Sequence, residues 1–263
     1  MNVELTRIRR LSGNTYDFRF EGREEISFTP GQFFRFTFED REGEFERSYS
    51  LCNLGDEAGV LDLVISTVEG GRATALLFNA KTGLKATAVG PFGRLILPKK
   101  LPERLFLVAT SVGIAPYMPM LAQLAELSES VEVFFLYGTR NESEFIYSEE
   151  LRLFARTHVW FHLFACYSQQ ADNLLEDEFN GYVQEKIMFL EPNPATDHFL
   201  LCGNPMMIDE VYGNLKLKEF GVRQVVREKY VFAKRAQEKQ NKKKPLSAEQ
   251  QRLLIEKMKK YQQ

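Results

Sequence analysis

Residues 47–50, Arg47-Ser48-Tyr49-Ser50, put a cation, an aromatic ring and serine hydroxyls on one short segment, and the rest of the chain falls into place around them. They follow Pro30-Gly31-Gln32 and precede Gly71-Arg72-Ala73-Thr74. In an extended strand side chains alternate between faces, so Arg47 and Tyr49 share one side and Ser48 and Ser50 the other. A cation, a ring and a nearby hydroxyl suit a ligand that is part phosphate and part flat heterocycle.

The surrounding sequence has the same strand texture. Thr15 to Phe20 and Phe34 to Phe38 alternate with period two, and Leu61 to Val68 reads as a further strand. Gly13-Asn14, Pro30-Gly31, Gly43 and Gly55 punctuate these runs as turns. Many short strands at even spacing predict a small closed antiparallel barrel over residues 1–99. Leu101-Pro102 reads as a hinge. Beyond it come four short apolar runs, Leu105–Ala109, Val131–Tyr137, Val159–Phe164 and His198–Cys202. Between them Met118, Leu121 and Leu124, then Leu151 and Phe154, recur at helical spacing. Strands alternating with helices predict a parallel sheet covered on both faces, an α/β nucleotide-binding domain over 102–233, with ligands at the carboxyl ends of its strands.

Composition bounds the alternatives. At 263 residues, with 44% hydrophobic and 27% charged residues, the chain is ordinary for a globular protein. A net charge of −2 argues against general nucleic-acid binding. No apolar run approaches the ~20 residues needed to cross a bilayer. Cys52, Cys166 and Cys202 lie far apart, without iron–sulfur spacing, which points to a reducing cytoplasm and to no bound metal. A monomer is expected. Residues 1–233 carry a net −9 and residues 234–263 a net +7, so an acidic body ends in a basic tail.

At Arg47-Ser48-Tyr49-Ser50 the chain resembles the ferredoxin–NADP reductase family, whose signature is Arg-x-Tyr-Ser, and the resemblance continues to about Tyr230. It implies FAD, with Arg47 on the flavin pyrophosphate, Tyr49 stacked on the isoalloxazine and Ser50 beside the redox-active ring nitrogen. Thr74 reads as the N-cap of the helical run Leu76-Leu77-Phe78, and family members place the flavin phosphates at this helix start. Ser48, Leu63, Ile65, Arg72, Ala73, Val112 and Tyr230 complete the implied FAD set.

Val108 to Pro116 resembles the family's loop for the nicotinamide dinucleotide pyrophosphate, with Thr110 and Gly113 in the implied site. Here Ser111 stands where the first glycine is usual, and Val112 replaces a small or hydroxyl residue. Tyr137-Gly138-Thr139-Arg140 matches the family's Tyr-Gly-x-Arg, and Arg140 either binds a phosphate, with Asn141 beside it, or caps the strand edge. Members that prefer NADP carry Ser-Arg after the third strand, whereas this chain has Ser168-Gln169, which brings no charge there; the resemblance implies NADPH, with NADH left open. Tyr182 matches the position that stacks on adenine. Cys202-Gly203-Asn204-Pro205 resembles a segment whose cysteine lies near the nicotinamide, the other reading being a buried cysteine acting as a small hydrophobe. Glu228 is implied to approach Ser50, which makes Ser50, Cys202 and Glu228 the catalytic set.

The function implied is exchange of a hydride between NADP(H) and FAD, and of single electrons with ferredoxin or flavodoxin. The alternative is a reductase component or flavin subunit feeding an oxygenase or larger redox complex, with NADH as donor. In the tail, Ser247-Ala248-Glu249-Gln250 reads as a capping box before a helix with Leu254, Met258 and Tyr261 on one stripe. It reads either as a solvated helix or as a contact for an acidic redox partner.

Overall fold

Phe34, Phe36 and Phe38 alternate with Arg35 and Thr37, and in the computed structural model the three phenylalanines face inward while Arg35 faces solvent. The structure describes residues 1–55, 57–126 and 131–230. The expected basic tail and its helix lie outside the described residues.

Six antiparallel strands form the first sheet: β1 (Asn2–Arg10), β2 (Thr15–Gly22), β3 (Phe33–Asp40), β4 (Gly43–Ser50), β5 (Val60–Ser66) and β6 (Lys85–Phe92). Their order is β4-β3-β6-β1-β2-β5. Just past β4, Leu51 bridges Leu63 and the Cys52 amide donates to the Asp62 carbonyl, which draws β5 back to the end of β4 and rounds the sheet into a barrel. Inside it Phe20 meets Phe36 and Phe38 with ring centroids 5.4 and 6.1 Å apart. Helix α1 (Arg72–Leu77) buries Ala73 and Leu77 in the same core.

The second sheet is parallel throughout, in the order β10-β9-β8-β7-β11-β12. Its strands are β7 (Arg104–Thr110), β8 (Glu132–Thr139), β9 (Phe161–Tyr167), β10 (Glu178–Asn180), β11 (Asp197–Gly203) and β12 (Val225–Lys229). Central β7 shows why these strands read as unbroken apolar runs. Leu105, Leu107 and Ala109 pack with α2 (Tyr117–Glu126) and α3 (Ser148–Thr157). Phe106 and Val108 pack on the other face with α4 (Val183–Phe189) and α5 (Pro205–Leu217). The expected third strand begins later than its apolar run, because Val159 lies in the turn before it and is 92% exposed. No helix among the described residues is long and apolar enough to cross a membrane.

Residues Met1–Tyr230 form one compact unit. Cys52, Val64 and Leu95 from the first half pack into the core of the second. A polar latch lies beside them. The Tyr147 hydroxyl donates to Asp17 Oδ2 at 3.4 Å and lies 3.6 Å from Cys52 Sγ. Arg9 reaches both Asp17 (3.1 Å) and Glu150 (3.6 Å). Tyr147 takes φ 57° as the cap of α3, a left-handed conformation rare for an aromatic residue, which the surrounding contacts hold in place.

Candidate functional site

The carboxyl edge of the parallel sheet and the end of β4 meet at one cluster. Pairing of β11 with β12 sets Cys202 opposite Glu228 and Gly203 opposite Lys229, and the Tyr230 amide donates to the Gly203 carbonyl. Across from them, β4 delivers Ser50, itself 5% exposed. Tyr230 Oη donates to Ser50 Oγ at 2.7 Å, and Ser50 Oγ donates to Glu228 Oε1 at 3.0 Å. Two hydroxyls in series thus end on a carboxylate, each bond polarising the next. Residues 178 and 180 positions apart in sequence join here, which brings together two of the three expected catalytic residues. Cys202 completes the set as a fully buried thiol beside Tyr230.

Burial sets the electrostatics of the cluster. It pushes the Glu228 carboxyl above its ordinary value of 4.5, against the bond from Ser50, which holds it down. Desolvation, with the nearby Glu228 charge adding to it, drives the Cys202 thiol well up, so the sulfur keeps its proton. A carboxyl with a raised folded pKa keeps its proton longer than the unfolded chain does. Its contribution to stability therefore falls as pH rises from 4.5 through the raised value. Glu228→Gln removes that loss. Melting temperatures of protein and variant are expected to agree below pH 4.5 and to separate above it, the variant higher; parallel curves would overturn the burial argument.

The signature strand positions its other residues as the alternation requires. Tyr49 lies against Phe34 across β3, its ring edge-on to Phe36 at 6.0 Å and Phe38 at 6.5 Å. The Arg47 guanidinium lies 5.4 Å from the Phe45 ring centroid and donates to the Glu46 carbonyl; among the described residues it has no carboxylate partner. Arg72 is differently placed. It is bonded twice to Asp40, at 2.8 and 2.5 Å, and once to the Gly43 carbonyl at 2.7 Å. Thr74 is not the N-cap expected for α1. Gly71 is, and Thr74 lies in the first turn with its hydroxyl donating back to the Val68 and Gly71 carbonyls, both at 3.0 Å. Leu63 and Ile65 bury their side chains in the barrel core, so β5 can offer a ligand only its backbone there. Ser48 is exposed, Ala73 buried and Val112 partly buried.

On the nucleotide side, β7 and β11 are neighbours although the chain leaves β7 toward β8, which makes the gap above them the switch point where ligands bind. Backbones crowd here. A Cβ on Gly113 would lie 2.5 Å from the Cys202 carbonyl oxygen, and one on Gly203, at φ 119°, would lie 2.5 Å from Thr110 Oγ1. Thr110 Oγ1 accepts the Asn204 amide at 2.9 Å. Ser111 takes φ 51°, the left-handed conformation glycine adopts without cost, in keeping with its place at a usual glycine position. Asn204 caps α5 by accepting the Met206 amide, with Pro205 at the first helical position.

The loops after β8 and β9 hold Arg140, Asn141, Ser168 and Gln169. Arg140 is bonded through Nε to Glu144 Oε2 at 2.9 Å and through Nη2 to Glu144 Oε1, and Asn141 Nδ2 donates to Gln169 Oε1 at 3.1 Å. The Ser168 and Gln169 amides donate to the Thr139 and Arg140 carbonyls. Tyr182 caps α4 and is 55% exposed, while its amide donates to Glu185. Glu144 was absent from the expected set, although its spacing of four from Arg140 is a readable pairing signal. Asp40 and Asp17 give no such signal.

Known proteins match this arrangement in order. A family model for an oxidoreductase FAD-binding domain matches residues 2–96, and one for an oxidoreductase NAD-binding domain matches 107–212. The phenol hydroxylase P5 protein of Acinetobacter pittii is 25% identical over 228 residues, covering 86% of this chain and 64% of the relative. Ferredoxin–NADP reductase B of Sorangium cellulosum is 30% identical over 156 residues, covering 59% and 64%. The chain thus spans less than two thirds of the length of either relative. The solved structure of the Amycolatopsis cytochrome P450 reductase GcoB superposes with a TM-score of 0.78 at 24% identity, over 87% of this chain and 69% of that one, and so shares the fold. Ser50 lies within the first match and Glu228 just past the second, and the chain carries the FAD-binding and NAD-binding oxidoreductase domains of the ferredoxin reductase-like family.

Proposed function

We propose that this chain is a flavoenzyme that exchanges a hydride between a nicotinamide dinucleotide and FAD, and single electrons with a carrier of the ferredoxin or flavodoxin type. The observation that carries the reading is the Tyr230–Ser50–Glu228 relay, which ties the end of the signature strand to the end of β12. The donor set fits the group. Arg47, with no carboxylate partner among the described residues, suits a pyrophosphate, and Tyr49 on the same strand suits a flat ring. When bound, the flavin accepts two electrons together and releases them singly, which links hydride donors to one-electron carriers.

The chain's own residues supply orientation and a proton. Ser50 presents its hydroxyl at the junction of the halves, with its rotamer fixed by Tyr230 on one side and Glu228 on the other. Glu228 accepts the Ser50 hydroxyl hydrogen at Oε1; burial raises its pKa, and a proton taken up at Oε1 reverses that bond and can return along it to Ser50 Oγ. Cys202, uncharged and buried, fills space beside this relay without adding a charge that would oppose a hydride. Glycines 113 and 203 keep the floor of the dinucleotide crevice low. The reading places the protein in a reducing cytoplasm, in keeping with its three free cysteines.

A second reading, the reductase component of an oxygenase, is favoured by the likeness to the phenol hydroxylase P5 protein over 86% of this chain. The three cysteines are dispersed and buried, so an iron–sulfur carrier would lie outside these residues. Anaerobic titration of the purified full chain with NADPH and with NADH tests the reading, through bleaching of a flavin band near ~450 nm. Oxidation of the reduced protein by ferredoxin or flavodoxin supports the first reading; oxidation only by an oxygenase's own carrier supports the second. A protein that takes up no FAD overturns both.

A further inference from the structure

Arg140 stands at the carboxyl end of β8, next to the end of β9, where an open parallel sheet receives the ribose of a dinucleotide. In such sites an arginine accommodates a 2′-phosphate, whereas an acidic side chain hydrogen-bonds a free 2′-hydroxyl. Arg140 is the only Lys or Arg in segments 139–147 and 168–177. Both of the guanidinium nitrogens it uses are taken by Glu144, one turn further along the chain. Bidentate pairing of this kind fixes the plane of the guanidinium as well as its charge.

The neighbouring groups are neutral or acidic. Gln169 and Asn141 bond each other at 3.1 Å and tie the two loops together, and Ser143 Oγ donates to Asn141 Oδ1 at 2.8 Å. Glu142, Asp172 and Glu176 add further negative charge to the same segments. A phosphate of charge near −2 at this edge meets no uncommitted cation among the described residues of these segments, while acidic side chains are at hand for a hydroxyl.

We propose that Glu144 is the residue that sets coenzyme choice, holding Arg140 in an ion pair so that the site takes NADH in preference to NADPH. The proposal rests on the function proposed above and specifies the dinucleotide of that same site. It makes Arg140 a latent phosphate ligand rather than an active one, and it locates the discrimination on β8 rather than on the Ser168-Gln169 segment.

Glu144→Gln in the full chain tests it. The expected result is a shift of the NADPH/NADH ratio of kcat/KM toward NADPH by about tenfold, the scale of one charge-assisted bidentate contact regained. Affinity for 2′-AMP, measured by calorimetry on the same FAD-loaded protein, is expected to rise while that for 5′-AMP stays level. The double variant Arg140→Gln/Glu144→Gln is expected to lose both gains, because the released arginine is their source. An unmoved ratio with unmoved 2′-AMP affinity overturns the proposal, as does a gain that survives in the double variant. Bleaching by neither coenzyme in the wild-type protein is a separate outcome, and that one overturns the function itself.

Discussion

Ser50→Ala is expected to reduce the rate of anaerobic flavin reduction by NAD(P)H by about a hundredfold, the lower range for loss of a positioned proton-transfer group. The hydroxyl is the only link between Tyr230 and Glu228 in the relay. Its removal leaves the Tyr230 hydroxyl without its acceptor and the Glu228 carboxylate without its donor, in a place where burial raises the pKa of both groups. Stopped-flow absorbance near ~450 nm, normalised to bound FAD, reads the step directly. Ser50→Thr keeps an Oγ on the same carbon and is expected to recover much of the rate. A change of less than about threefold in Ser50→Ala would remove the relay from the chemistry and leave it a structural tie.

Gly203→Ala is expected to cost about 3 kcal/mol of stability, the sum of backbone strain and overpacking. The position has φ 119°, where an L residue is strained, and the added Cβ would lie 2.5 Å from Thr110 Oγ1 and 2.7 Å from the Thr110 carbonyl oxygen. Backbone cannot swing aside as a long side chain can. Thr110 closes β7, whose neighbours β8 and β11 both depend on its register. Differential scanning calorimetry should show a fall of about 10 °C, at the usual ~2–4 °C per kcal/mol for a chain of this size. Because the same contact floors the dinucleotide crevice, weaker nicotinamide dinucleotide binding is expected alongside. An unchanged melting temperature would mean that β7 and β11 lie farther apart than described.

Much of the fold was legible because burial writes a period into the sequence. Phe34, Phe36 and Phe38 declare a strand with one wet face, and Leu105 to Ala109 a strand with none; both are where the alternation placed them. Strands β10 and β12 are not legible in the sequence, since three residues at a sheet edge and the mixed sequence Val225–Lys229 carry little periodicity. Within the site, the meeting of Ser50 with Glu228 was available only through family resemblance, because no local pattern joins residues 178 apart. The cap of α1 falls at Gly71 rather than Thr74 for a related reason. A threonine hydroxyl can bond forward as a cap or backward to a carbonyl, and the Thr74 hydroxyl turns to Val68 and Gly71. Charge partners were the least legible. Asp40 lies 32 residues from Arg72, and nothing but the folded hairpin brings them together.

The latch of Tyr147 on Asp17 also bears on how such chains exchange parts over evolutionary time. A barrel grafted onto the α/β half of another relative would arrive with a buried Asp17 and an exposed Arg9 that lack the tyrosine and glutamate they meet here. Shuffled halves that match only at the Tyr230–Ser50–Glu228 cluster would leave Asp17 buried without its tyrosine donor. Exchange of one half alone would break up Arg9, Asp17, Cys52, Tyr147 and Glu150, which meet here although they are spread across more than half of the chain.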